Sequence, residues 1–177
     1  KITTAYGYDN IDGYDYRTVI VTDEEGKTSK SYYDKFGNLV KVIINPELLG
    51  QVETNYEYDI LGRLTKITNP LNQITTNIYD TLGRLTKTQN PDFGVIEYTY
   101  DDNGNLLTKT QNNIVISYNY DGLDRLSSYI TGPRIITNTY DNCVNGKGKI
   151  CQTTDSGEKG LSVIYEYMDL KGRLTAE

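Results

Sequence analysis

The chain has 177 residues, and its 37% hydrophobic content is enough for one domain with a core. A net charge of -6, a pI near 4.7 and basic residues spread thinly along the chain argue against a nucleic-acid partner, which needs a clustered basic footprint. There is no His, which removes Ser/His/Asp and Cys/His nucleophile systems together with His-based metal motifs.

Tyr supplies 17 residues against 2 Phe and no Trp, so Tyr must do much of the packing. A Tyr ring covers apolar surface while its hydroxyl stays wet, which suits a broad curved sheet better than a compact sandwich. No apolar run is long enough to cross a bilayer, and no signal-peptide pattern opens at Lys1. The chain reads as a piece of something longer, beginning and ending within a repeat.

Residues 1–31 read as a degenerate repeat. Tyr6, Tyr8, Asp9, Asp12, Gly13 and Asp15 suggest a worn copy whose turn carries one extra residue. The acidic spacing lacks the ligand order and terminal Glu of an EF-hand loop, so a plain turn is expected there. Thr18 to Thr22 is a predicted strand, followed by a turn at Asp23-Glu24-Glu25-Gly26 and a second strand ending at Tyr33.

From residue 32 to 139 the repeat becomes regular. Copies read Tyr33-Asp34 with Gly37, then Tyr58-Asp59-Ile60-Leu61-Gly62-Arg63-Leu64, Tyr79-Asp80-Thr81-Leu82-Gly83-Arg84-Leu85 and Tyr100-Asp101-Asp102-Asn103-Gly104-Asn105-Leu106. A looser copy follows at Tyr120-Asp121, where Asp124 replaces Gly. Asp59, Asp80 and Asp101 are 21 positions apart, whereas the 25 positions from Asp34 to Asp59 imply a longer loop at Asn45-Pro46-Glu47-Leu48-Leu49-Gly50. A fixed period of this length indicates one supersecondary unit stacked many times.

Asp followed three residues later by Gly suits a type I turn with a left-handed Gly beside it, so each copy is predicted to be a hairpin tip. With Gly62 and Arg63 together facing Asp59, Tyr58 is expected across from Leu64 and Tyr56 across from Lys66. The Arg is read as the partner in an ion pair with Asp at the tip. A second turn signal, Asn69-Pro70 or Asn90-Pro91, precedes the next tip by 11 positions. The fold expected is all-β, an antiparallel meander of hairpins with tips on one edge and Asn-Pro turns on the other.

Residues 140–177 form a variant repeat. After Tyr140-Asp141 comes Asn142-Cys143-Val144-Asn145-Gly146-Lys147-Gly148-Lys149-Ile150-Cys151. A loop at Gly146-Lys147-Gly148 would pair Asn145 with Lys149, Val144 with Ile150, and Cys143 with Cys151. Two readings stand: a disulfide, which implies an oxidising destination, or two reduced thiols. Two Cys without His make a zinc site a poor fit. Asp169 to Leu174 keeps one more Asp-x-x-Gly-Arg-Leu copy.

No active site emerges. Catalysis would have to rest on the 24 acidic residues, and nothing in their spacing favours one pair. No Gly-rich phosphate loop joins a strand to a helix. No catalytic residue, cofactor or metal is assigned.

The Tyr-Asp-x-x-Gly-Arg-Leu unit resembles the YD repeats of the RHS family over about residues 30 to 175. The variant tip with Cys143, Asn145-Gly146, Gly148 and Cys151, followed by Asp155 and Gly157, resembles a form seen in bacterial members. The resemblance implies a long β-sheet spiralling into a hollow shell. In bacterial polymorphic toxins and in the B/C components of insecticidal toxin complexes, such shells enclose a cytotoxic C-terminal domain. In teneurins a similar shell serves cell adhesion. The family's self-cleaving core segment and its effector have no match here, so no autoproteolytic residue carries over. The implied role is a wall segment of a secreted or surface-exposed toxin shell, with the remainder of its own shell and an enclosed effector as partners. The alternative is an adhesion module whose Tyr rows recognise a cell-surface glycan or protein.

Overall fold

The computed structural model describes residues 2–45, 52–157 and 160–164. Its strands lie in chain order in a 15-stranded sheet, and within residues 3–90 and within residues 94–164 consecutive strands pair antiparallel. Two compact units divide the chain, Lys1–Gly94 and Val95–Glu177. Among the described residues no helix occurs, so the meander expected from the alternating turns is the fold observed.

In the first unit β1 (Thr3–Ile11), β2 (Tyr14–Thr22), β3 (Thr28–Tyr33), β4 (Leu39–Asn45), β5 (Val52–Tyr58), β6 (Leu64–Thr68), β7 (Ile74–Tyr79) and β8 (Leu85–Asn90) follow one another. The Asp34, Asp59 and Asp80 tips join β3 to β4, β5 to β6 and β7 to β8, which puts them on one edge of this unit. The Asp23 and Asn69 turns lie on the opposite, return edge. The loop expected at Asn45 to Gly50 falls outside the described residues after Asn45.

The second unit carries β9 (Gly94–Tyr100), β10 (Leu106–Gln111), β11 (Ile114–Tyr120), β12 (Leu126–Thr131), β13 (Arg134–Tyr140), β14 (Ile150–Asp155) and β15 (Ser162–Ile164). Its tip edge holds the Asp101, Asp121 and Asp141 turns, and its return edge the two-residue turns Asn112-Asn113 and Gly132-Pro133. Asn112 and Asn113 both take positive φ (49° and 63°), the pairing that fits the right-handed twist of a tight hairpin. The return turn at Asn69 has three residues between its paired ends, one more than these. That residue accounts for a spacing of 21 from Asp59 to Asp80 against 20 from Asp101 to Asp121. The copy at Asp169 to Leu174 falls outside the described residues.

Three expectations on register are corrected. The first hairpin does not turn at Asp9: β1 runs on to Ile11, Asp9 pairs with Tyr16, and the chain reverses over Asp12-Gly13. Asp-Gly with both φ positive (52° and 84°) forms a tighter turn than a worn repeat would, and it prevails. In the regular tips Tyr58 does face Leu64, but Tyr56 faces Ile67 and Glu57 faces Lys66. A second bulge at Thr65 causes the shift, with its Oγ1 donating to Glu57 O at 3.1 Å. Leu64 and Ile67 thereby share a face although three apart, joining Tyr56 and Tyr58. The third correction concerns the Cys tip: Lys149 O accepts from Asp141 N and Ile150 pairs with Tyr140, so Cys143 lies in a loop and not in a strand opposite Cys151.

Burial is shallow, as a single layer dictates. Among described residues the buried ones include Thr18 (2% exposed), Tyr32 and Ile136 (both 7%) and Cys151 (4%). The Tyr and Leu of the repeats are half-buried, each shielded by its neighbours within one face. Opposite them in the first unit lie cross-strand ion pairs: Lys30–Asp9 (2.6 Å), Lys41–Glu53 (3.1 Å) and Lys66–Glu57 (2.7 Å). In the second unit the same face carries neutral pairs, Thr99 with Thr108 (2.6 Å) and Asn119 with Ser128 (3.0 Å).

Candidate functional site at the hairpin tips

Each regular tip is closed by its Asp. Asp59 N donates to Arg63 O and Gly62 N to Asp59 O, both at 3.0 Å. The Asp59 carboxylate accepts from Leu61 N (2.9 Å) and Arg63 N (3.0 Å) through Oδ1, and from Arg63 Nε (2.6 Å) through Oδ2. Asp80 repeats this with Leu82, Arg84 N and Arg84 Nε, and Asp121 with Leu123, Arg125 N and Arg125 Nε. At Asp34 and Asp101 the Arg position is Asn, and the amides of Asn38 and Asn105 each donate to the carboxylate at 3.0 Å. Gly62 (φ 76°) and Gly83 (φ 83°) occupy the left-handed position, where a Cβ is disfavoured.

These bonds lower the pKa values of the tip carboxylates. The Arg63 backbone N–H, followed by its guanidinium, holds Asp59 below the usual carboxylate range, and the Arg84 side chain leads at Asp80. At Asp34, Asp101 and Asp121 the largest single influence is desolvation, which pushes upward. The combined hydrogen bonds from Asn38, Asn105 or Arg125 and nearby amides outweigh it, and the net shift is downward. All five are hydrogen-bonded anions held below the ordinary carboxylate pKa, which makes them weak bases.

Four of the Tyr that precede a tip Asp reach backwards. Tyr58 Oη donates to Leu39 O (2.9 Å), Tyr79 to Leu64 O (2.9 Å), Tyr120 to Leu106 O (3.0 Å) and Tyr140 to Leu126 O (2.9 Å). Each bond ties a hairpin to the carbonyl of the one before it. The Arg reaches forwards: Arg63 lies over the Tyr79 ring (4.9 Å) and donates to Asp80 O (3.2 Å). Arg125 lies over Tyr140 (4.2 Å) and pairs with Asp141 (2.9 Å). The motif residues thus act as lateral ties as well as turn formers.

The departure at Asp124 has a cause visible only in three dimensions. It holds the left-handed conformation (φ 58°) of the missing Gly, and its Oδ1 accepts from Asn103 Nδ2 (3.0 Å) and Asn105 Nδ2 (2.8 Å) of the preceding tip. Asn105 stands where other tips have Arg, so the tie there runs through Asn and Asp.

At the variant tip Cys143 and Cys151 form a disulfide with Cα atoms 5.4 Å apart. Cys151 occupies the bulge position that Thr65 holds in a regular repeat. Gly146 is buried against the bond, and a Cβ there would lie 2.2 Å from Cys143 Sγ and 2.7 Å from Cys151 Sγ. The sequence reading placed Gly146 in a turn and missed this packing role.

An open groove of about 750 Å³ runs between the first two regular tips, lined by Phe36, Tyr56, Tyr58, Ile60 and Leu61 among others. The carboxylates it touches, Asp34 and Asp59, are the tip anions already bonded to their own turns. Among the described residues no group of three or more Cys, Asp or Glu could hold a metal ion.

The sequence profile of a family described as Teneurin YD-shell matches residues 9–132, well over half of the chain. The chain belongs to this YD-shell family. Solved structures of the same fold include "Crystal Structure of TcdB2-TccC3-Cdc42", at 17% identity and a TM-score of 0.71, with 98% of this chain and 12% of that chain covered. "Crystal Structure of TcdB2-TccC3" matches at 16% identity, a TM-score of 0.71 and the same coverage. The "Structure of Photorhabdus luminescens Tc holotoxin pore" matches at 16% identity and a TM-score of 0.71, covering 97% of this chain and 11% of that one. This chain spans about an eighth of the solved chains it resembles. No curated protein sequence matches it.

Proposed function

We propose that this segment is wall: a run of YD hairpins in the shell of a secreted or surface-exposed RHS-type toxin, which encloses a C-terminal effector and assists its delivery. The observation that carries the reading is how the motif residues are used. Tyr hydroxyls, Arg side chains and Asp carboxylates, the groups an enzyme would present to a substrate, are engaged within the sheet: the Tyr with the preceding hairpin, Arg63 and Arg125 with the following one, and the Asp with their own tips. Such use is additive and repeats in each copy, which is what a wall needs. The likeness to structures titled for TcdB2-TccC3 and a Tc holotoxin supports a shell of the toxin kind over one specialised for adhesion. In this reading the segment has no catalytic residue, cofactor or metal, and its partners are the rest of its shell and the enclosed effector.

The test is protease protection in the longer parent protein. Sequence downstream of the shell should resist digestion while the shell is intact and become sensitive once the shell is opened by denaturant. Equal sensitivity in both states would remove the encapsulation reading.

One observation favours the adhesion alternative. Tyr6 and Tyr8 project from one face of β1 and are 76% and 78% exposed, beside Arg17 on β2. Binding of cell-surface glycans or protein that is lost in Tyr6→Ala/Tyr8→Ala would transfer the function to that face.

A further inference from the structure

In a regular tip three residues separate the Asp from its partner, as Ile60, Leu61 and Gly62 do between Asp59 and Arg63. At the variant tip seven residues, 142–148, separate Asp141 from Lys149, whose carbonyl accepts from Asp141 N. That longer loop has little apolar anchorage: Val144 is 80% exposed, and Asn142, Asn145, Lys147 and Gly148 are exposed. What it packs on is sulfur, since buried Gly146 lies against both Cys143 and Cys151. A few hydrogen bonds add to this, Gly146 N to Cys143 O (3.1 Å) and Gly148 N to Asp141 Oδ1 (2.6 Å) among them. Strands β13 and β14 are held independently, by their ladder and by Asn138 with Thr153 (2.8 Å).

We propose that the Cys143–Cys151 disulfide is a reducible latch, which keeps loop 142–148 closed in an oxidising compartment and opens it, without unfolding the hairpin, where thiols are abundant. The two sulfurs are unequal. Cys151 is 4% exposed, whereas Cys143 is only partly buried, so Cys143 Sγ is the sulfur that an incoming thiolate is expected to attack. The S–S bond breaks, a mixed disulfide forms on Cys143, and Cys151 Sγ leaves as a thiolate. The backbone N–H of Cys143, 3.0 Å from that sulfur, stabilises the leaving group. A dithiol reductant completes the exchange: its second thiol displaces Cys143, giving two Cys thiols and one oxidised dithiol, with two electrons and two protons transferred. The opened loop offers Lys147 to proteases, so the passage from an oxidising to a reducing space becomes a cleavable signal.

The experiment compares the oxidised whole chain with the same chain treated with dithiothreitol. Cleavage after Lys147 by a Lys-specific protease and amide exchange of 142–148 are followed, and alkylation reports the thiols. Reduction is expected to speed both by about tenfold or more, with β11 and β12 changing by less than about twofold. The Cys143→Ser/Cys151→Ser chain should cut at the fast rate and ignore reductant. If that variant does not fold, reduction and reoxidation of the native chain decide the matter alone. Three results would each overturn the proposal: thiols that do not form, alkylated thiols with unchanged cleavage and exchange, or exchange that spreads through the chain, which would make the bond a global staple.

Discussion

The two edges of the sheet use one turn geometry for different ends. Asn69 on the return edge builds the same closed turn as Asp80 on the tip edge: Asn69 N donates to Gln73 O, Asn72 N to Asn69 O, and Asn69 Oδ1 accepts from Leu71 N and Gln73 N. Yet return turns vary in length between units and in residue type, while the regular tips keep Tyr, Asp and a partner at fixed offsets. An Asp is therefore not required to make the turn. On the tip edge the carboxylate also holds the Arg of three regular tips, and Arg63 and Arg125 reach the next hairpin; on the return edge Asn69 holds Gln73, which reaches Asp92 (3.3 Å), through neutral amides.

The largest effect that would sharpen this comparison is at Gly146. A methyl group there would overlap both sulfurs, so Gly146→Ala should prevent the closed tip and destabilise the closed loop by about 2 to 3 kcal/mol, the range for losing a short-loop disulfide. Thermal melts with thiol titration would read it. A wild-type melt with the bond intact would show that the loop can rearrange around a side chain.

Next come the left-handed positions. Gly83→Ala should cost about 1 to 2 kcal/mol, because φ of +83° crowds a Cβ against the backbone. On the return edge Asn72 already holds φ 59°, and Asn72→Gly should move stability by less than about 0.5 kcal/mol. Asp124→Ala tests the exception. It keeps the strain and loses both bonds to the preceding tip, and should cost about 1 to 2 kcal/mol. Equal losses at Asn72 and Asp124 would erase the distinction between the edges.

The tie itself is probed by Tyr79→Phe, which removes the bond to Leu64 O and leaves the ring under Arg63. A loss of about 1 kcal/mol is expected, read by urea melts and by faster exchange at β6 and β7.

The tips were legible in the sequence because Asp and Gly three apart act locally, on a backbone that they fix by themselves. The strands between them were legible from turn spacing. Register was not. The bulge at Thr65 places Leu64 and Ile67 on one face at a spacing that is neither the strand period of two nor the helix period, so counting by twos assigned Tyr56 to Lys66. Two overlapping turn signals, at Asp9 and at Asp12-Gly13, hid the true reversal of the first hairpin. The Tyr-to-carbonyl bonds and the Asp124 tie join residues 14 to 21 apart, and the packing of Gly146 on sulfur depends on a closed loop; these are tertiary facts with weak local signatures.

The smallest expected effect is the response to acid, and it separates the edges by charge alone. Asp59 and Asp80 have folded-state pKa values below the ordinary carboxylate range, so they bind protons less readily folded than unfolded. Their contribution to stability is fully present above about pH 4, the unfolded value, and is lost as the pH falls through the lower folded values. Asn69 has no proton to gain, and its turn should hold at the same pH. Amide exchange with intrinsic rates corrected for pH should therefore show the Asp59 and Asp80 tips loosening before the Asn69 turn. Asp80→Asn, which keeps the acceptor for Leu82 N and Arg84 N but gives up the bond from Arg84 Nε with the charge, should abolish the acid response at its own tip and leave that at Asp59. Simultaneous loosening of both edges would mean that the sheet opens as one cooperative body, and that the tip carboxylates carry no stability of their own.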